Sequence, residues 1–79
     1  MNLFLNNIER LDHRNVYMIK RMIGSLLTEF NKAMYKKDIH QADTMLNVTK
    51  QVHDKIKPNL LWARRVSLVL TDMAQKLNK

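Results

Sequence analysis

The sequence predicts an all-α protein: a small antiparallel three-helix bundle with a short additional N-terminal helix. Three observations predict it. The 79 residues contain one Gly and one Pro, too few for the turns of a sandwich, barrel or hairpin-rich fold. Apolar residues recur at spacings of three and four over long stretches, the signature of amphipathic helices. The links between those stretches are a few residues long, which favours antiparallel neighbours. A chain of this length makes one domain, spanning 1–79. It buries only a little over ~60% of its unfolded surface, so its core is modest.

The first segment is expected as a short helix over about 2–11, with Phe4, Ile8 and Leu11 on one face. Asp12 follows as an expected N-cap, because a carboxylate can accept a bond from a free backbone N–H of the first turn. The second helix is expected over about 13–36. Val16, Ile19, Ile23, Leu26, Phe30 and Ala33 form its seam, widened by Met22, Leu27 and Met34. Gly24 interrupts this helix at a cost of roughly 1 kcal/mol relative to Ala. It either permits a close helix crossing or sits on an exposed face. Lys36 and Lys37 close the helix, where cations suit the negative end of its dipole.

Asp38 is the next expected cap, with Gln41 completing an approximate capping box. The third helix is expected over about 39–57. Its apolar face is thin: Ile39, Ala42, Met45, Leu46, Val52 and Ile56, with Thr49 and His53 in line. Pro58 ends it. The fourth helix is expected over about 59–77, with a seam of Ala63, Val66, Leu70, Met73 and Leu77. Leu60, Leu61, Trp62, Leu68 and Val69 lie partly outside that seam, so this helix is either central in the bundle or covered by a partner.

The composition narrows the function classes. No cysteine means no disulfide scaffold, no thiolate zinc site and no thiol nucleophile. His13, His40 and His53 lack metal-ligand spacing; they read as two first-turn residues and one at a core edge. One glycine cannot build a phosphate-binding loop. Glu29 beside Lys32, and Asp54 beside Lys50, read as solvated helix pairs. Ser25 and Ser67 fall mid-helix, away from any catalytic arrangement. No catalytic residue, metal or cofactor is expected, and the chain reads as a non-enzyme.

The charge points to a partner. Lys+Arg 14 against Asp+Glu 7 gives a net +7, more one-sided than a merely solvated surface requires. Arg14, Lys20 and Arg21 fall near the start of the second helix, with Tyr17 four residues before Arg21. Lys55 and Lys57 flank the last turn, and Arg64 and Arg65 follow Trp62. Arginine beside an aromatic ring suits nucleic acid: the guanidinium forks a phosphate and a ring can stack on an unpaired base. These residues are the nucleic-acid-binding candidates, with RNA ahead of DNA.

The expected function is a small basic regulator acting on RNA or on a nucleic-acid-handling protein, inhibition included. The alternative is a protein-interaction module, an adaptor, inhibitor or homo-oligomer. It would bind an acidic protein surface through Trp62, Leu68 and Val69, without nucleic-acid contact. The basic residues form no single face opposite the apolar stripe, so a membrane surface is set aside as partner. No export signal is read at the start of the chain, and a cytoplasmic location is the expectation. The stretch Tyr35 to Ala42 resembles the turn of a tetratricopeptide hairpin. It lacks that motif's turn glycine, the helix after it is too long, and no second repeat is present to stack on. No residue role is carried over.

Overall fold

The structure is a computed structural model, and it describes residues 8–78. The expected bundle is what forms. Residues 8–10 are helical, and three long helices follow: α1 (Val16–Tyr35), α2 (Ile39–Ile56) and α3 (Leu60–Leu77). Most of the first expected helix, Phe4 included, lies outside the described residues. Its last turn packs: Ile8 and Leu11 are buried in the main cluster.

The helix that lies in the middle is α2. It packs against both α1 and α3, whereas α1 and α3 meet only slightly. The molecule measures 35 × 27 × 16 Å. The contact pattern makes α2 the helix shared by the other two. Of the two places open to α3 from its sequence, central or covered by a partner, the central one is not taken: its Leu60, Leu61 and Leu68 all face solvent. The thinner-looking α2 serves two neighbours with small and β-branched residues. Ala42, Met45, Leu46, Val48, Thr49, Val52 and Ile56 are buried on it. At 100° per residue they cover roughly 160° of the helix, wider than a one-sided stripe. Val48 joins the core for this reason.

Phe30, Ile19 and Leu26 of α1 meet Val52 and Ile56 of α2 in one cluster, with Val66 and Met73 of α3. Thr49 is the buried polar residue among those described, and its hydroxyl donates to the Met45 carbonyl at 2.7 Å. Two expected seam residues stay outside the core: Val16 is 40% exposed and Ile39 55%. Each begins its helix, where the axis has not yet met its neighbour.

The caps explain the boundaries. Asn15, not Asp12, caps α1, and its side chain accepts from Met18 N at 3.0 Å. Asp12 is diverted into a turn, accepting from Arg14 N at 2.9 Å and from the Arg14 guanidinium. His13 therefore lies before the helix rather than in its first turn. At the far end of α1, Lys37 N bonds to Met34 O at 3.1 Å and Asp38 N to Ala33 O at 2.8 Å. These bonds form a Schellman motif. Its left-handed position is held by Lys37, at φ 60°. Asp38 caps α2 through Gln41 N at 3.1 Å. The reciprocal arm of the expected capping box has no donor to meet, because Asp38 N already serves Ala33.

Candidate nucleic-acid interface

The start of α1, the end of α2 and the start of α3 share one end of the bundle. Asn59 ties them together. Its Oδ1 caps α3 by accepting from Trp62 N at 3.2 Å, and its Nδ2 donates to the His13 carbonyl at 2.8 Å. One amide thus starts a helix and anchors the loop that leads into another.

The charge gathers at that end. Residues 9–21 and 54–65 contain Arg10, Arg14, Lys20, Arg21, Lys55, Lys57, Arg64 and Arg65, with Glu9, Asp12 and Asp54 as their acids. Eight cations against three acids give +5 of the net +7. In the rest of the chain six Lys against Glu29, Asp38, Asp43 and Asp72 leave +2. Most of the excess charge is therefore concentrated at one end of the fold. The first turns of α1 and α3 hold no acidic residue to offset their positive dipole ends.

All seven cationic residues named from sequence lie at or near this end, and their surroundings differ. Arg14 is held by Asp12 at 3.1 Å and Lys57 by Asp54 at 3.3 Å. Asp54 had been assigned to Lys50. The observed pairing puts the acid N-terminal to the base, the order that suits the helix dipole. The other expected pair, Glu29 with Lys32, forms at 3.5 Å. Among the described residues, Lys20, Arg21, Lys55, Arg64 and Arg65 have no carboxylate within ion-pair distance. Their charge is available to a partner.

Two of these arginines lie over aromatic rings. The Arg21 guanidinium is 5.7 Å from the Tyr17 ring centroid, and the Arg65 guanidinium is 4.8 Å from that of Trp62. Each pair is one helical turn or less apart in sequence, so the helix itself sets the stack. Such contacts order long side chains at exposed sites. Tyr17 remains 70% exposed. A groove of about 330 Å³ opens beside it, lined by Arg10, Asn15, Tyr17, Met18, Arg21, Met22 and Ser25. Arg10 was missed from sequence. It belongs to the first segment, and no periodicity indicates that this segment folds back beside α1.

The three residues named as apolar anchors part company. Trp62 and Val69 are partly buried against the bundle's own core. Leu68 is 68% exposed, and it shares the outward face of α3 with Leu60 and Leu61. At 100° per residue Arg64 falls between these leucines.

The sequence matches no family model, and comparison with curated proteins and with solved structures gives no significant match. Among the described residues no group of three His, Asp or Glu converges as a metal site, and no helix is long and apolar enough to cross a membrane.

Proposed function

We propose that this protein is a non-catalytic binding protein that engages RNA through its cationic end. The observation that carries the reading is the concentration of charge: +5 of the net +7 falls in 9–21 and 54–65. A surface charged only for solubility mixes its signs. Elsewhere six Lys against four acids leave only +2, and most of the excess meets at one end of the fold. The two arginine–aromatic pairs add the chemistry that favours RNA over duplex DNA. Guanidinium groups fork phosphates, and exposed rings stack on bases that a duplex would hide. The regulatory role follows from size: such a protein acts by occupying RNA, or by blocking an enzyme that handles it.

The test is binding by fluorescence anisotropy to single-stranded RNA, an RNA hairpin and duplex DNA of matched length. The reading expects tightest binding to RNA with unpaired bases. Preference for duplex DNA, or no binding at low salt, contradicts it.

A second reading is favoured by one observation, the outward Leu60, Leu61 and Leu68 face with Arg64 among the leucines. That combination suits an acidic protein surface, with apolar contact at its centre and carboxylates against the arginines. Both readings hold together if the protein inhibits a nucleic-acid enzyme.

A further inference from the structure

The groove between the first segment and α1 has a composition of its own. Met18 and Met22 give it an apolar wall, and Tyr17 stands at its side under the Arg21 guanidinium. Arg10 brings a second cation from a different segment. No acid lines it. Its polar groups are the Ser25 hydroxyl and the amide of Asn15, whose Oδ1 is committed to the α1 cap, leaving its NH₂ to donate. The volume of about 330 Å³ is at the small end of the ~300–1,000 Å³ range of ligand pockets. That suits one planar group with its attached phosphate rather than a folded segment of protein.

Resting on the RNA reading, we propose that this groove takes one unpaired ribonucleotide of the bound strand. The base lies on the thioethers of Met18 and Met22 beside the Tyr17 ring. The flanking phosphates meet Arg10 and Arg21, and Ser25 and Asn15 are the partners for a ribose hydroxyl. Methionine is the right wall for this purpose, because its flexible, polarisable side chain adapts to any of the bases. The site recognises an unstacked nucleotide as a shape and does not read its identity. Arg64 and Arg65 hold the backbone further along the end.

The experiment compares two eight-nucleotide ligands with the full chain at low salt. One is oligouridine and the other is the same ribose-phosphate backbone with abasic sites. Stacking one base on an aromatic ring predicts about tenfold tighter binding of the base-bearing strand. Tyr17→Leu removes the ring and Ser25→Leu fills the groove. Both positions are exposed, and unchanged far-UV helicity shows that each variant folds. Each variant is expected to abolish the tenfold preference; Tyr17→Leu leaves the abasic affinity as it was, while Ser25→Leu, which also removes a ribose partner, weakens the abasic strand as well. Arg64→Ala with Arg65→Ala is expected to weaken both ligands alike. Equal wild-type binding of the two ligands overturns the groove while leaving the cationic end intact. So does a preference that survives both groove variants. No binding of either ligand overturns the RNA reading itself. Equal affinity for oligodeoxyuridine and oligouridine overturns the ribose contact.

Discussion

Asp12 shows how one side chain can lose an expected role to a stronger local partner. By position it should cap α1, yet it accepts two side-chain bonds and one backbone bond from Arg14. The Arg14 hydrogen bonds, with smaller help from its charge and that of His13, hold the Asp12 pKa at about 2 instead of 3.8. A folded-state pKa that is lowered means the ionised form favours folding. The contribution is complete above pH about 4 and disappears as the pH falls toward 2. Carboxylate titration followed by NMR should put Asp12 near the lower value, and Arg14→Ala, which removes the guanidinium bonds and keeps the backbone one, should raise it toward the ordinary range without fully reaching it. An ordinary pKa for Asp12 in the unaltered protein would refute the pairing.

Glycine chemistry at two positions is reversed from what the backbone asks for. Gly24 is exposed and helical, and a Cβ built there meets nothing within 4 Å. Of the two roles open to it in the sequence, the close crossing is excluded. Lys37 holds the left-handed position that glycine fills without strain. Gly24→Ala and Lys37→Gly should therefore each stabilise the fold by roughly 0.5–1 kcal/mol. That raises the melting temperature by a few degrees in a domain of this size. A fall in melting temperature for either variant would contradict these environments.

At the scale of the element, Asn59 joins α3 to the start of α1. Asn59→Ala removes both the cap and the bond to the His13 carbonyl, and should cost about 1–2 kcal/mol. Asn59→Asp keeps an N-cap acceptor and loses the donor, so it should fall between the two in urea denaturation. If Asp is as damaging as Ala, the cap is not what Asn59 supplies.

The helices were legible in the sequence because seam and cap act locally. Ile19, Ile23, Leu26 and Phe30 mark α1 at three-four spacing, and Asp38 and Pro58 mark the breaks. What was not legible depends on neighbours. Apolar content left α3 either central or covered by a partner, but the central position is set by which helix can serve two neighbours. Small and branched residues give α2 that role. The cationic residues of the site were legible as residue types. Their convergence was not, since Arg10 and Arg21 meet only after residues 8–10 fold against α1, and Asn59 finds His13 46 positions away.

At the scale of the whole molecule, a 79-residue bundle of three helices has a small core and a large surface. Phe30 and Leu26 are fully buried at the α1 side of that core. Phe30→Ala should cost about 3–5 kcal/mol, much of the ~5–15 kcal/mol that holds typical domains. Loss of helicity at room temperature is the expected outcome, and a cooperative transition near the wild-type midpoint would show that the core is elsewhere. The surface, by contrast, is divided. One end holds most of the excess charge, and elsewhere six Lys face Glu29, Asp38, Asp43 and Asp72.

That division is the central claim, and its most direct test is the salt dependence of RNA binding in two triple variants. One neutralises Arg21, Arg64 and Arg65 to Gln, and the other neutralises Lys32, Lys36 and Lys37 to Gln. Both lower the net charge equally. Each phosphate contact on a single strand contributes about −0.7 to the slope of log K against log salt. The first variant should flatten the wild-type slope by about 2, while the second leaves it nearly unchanged. Equal flattening by both variants would mean that the protein binds by its total charge, and that the cationic end is not a site.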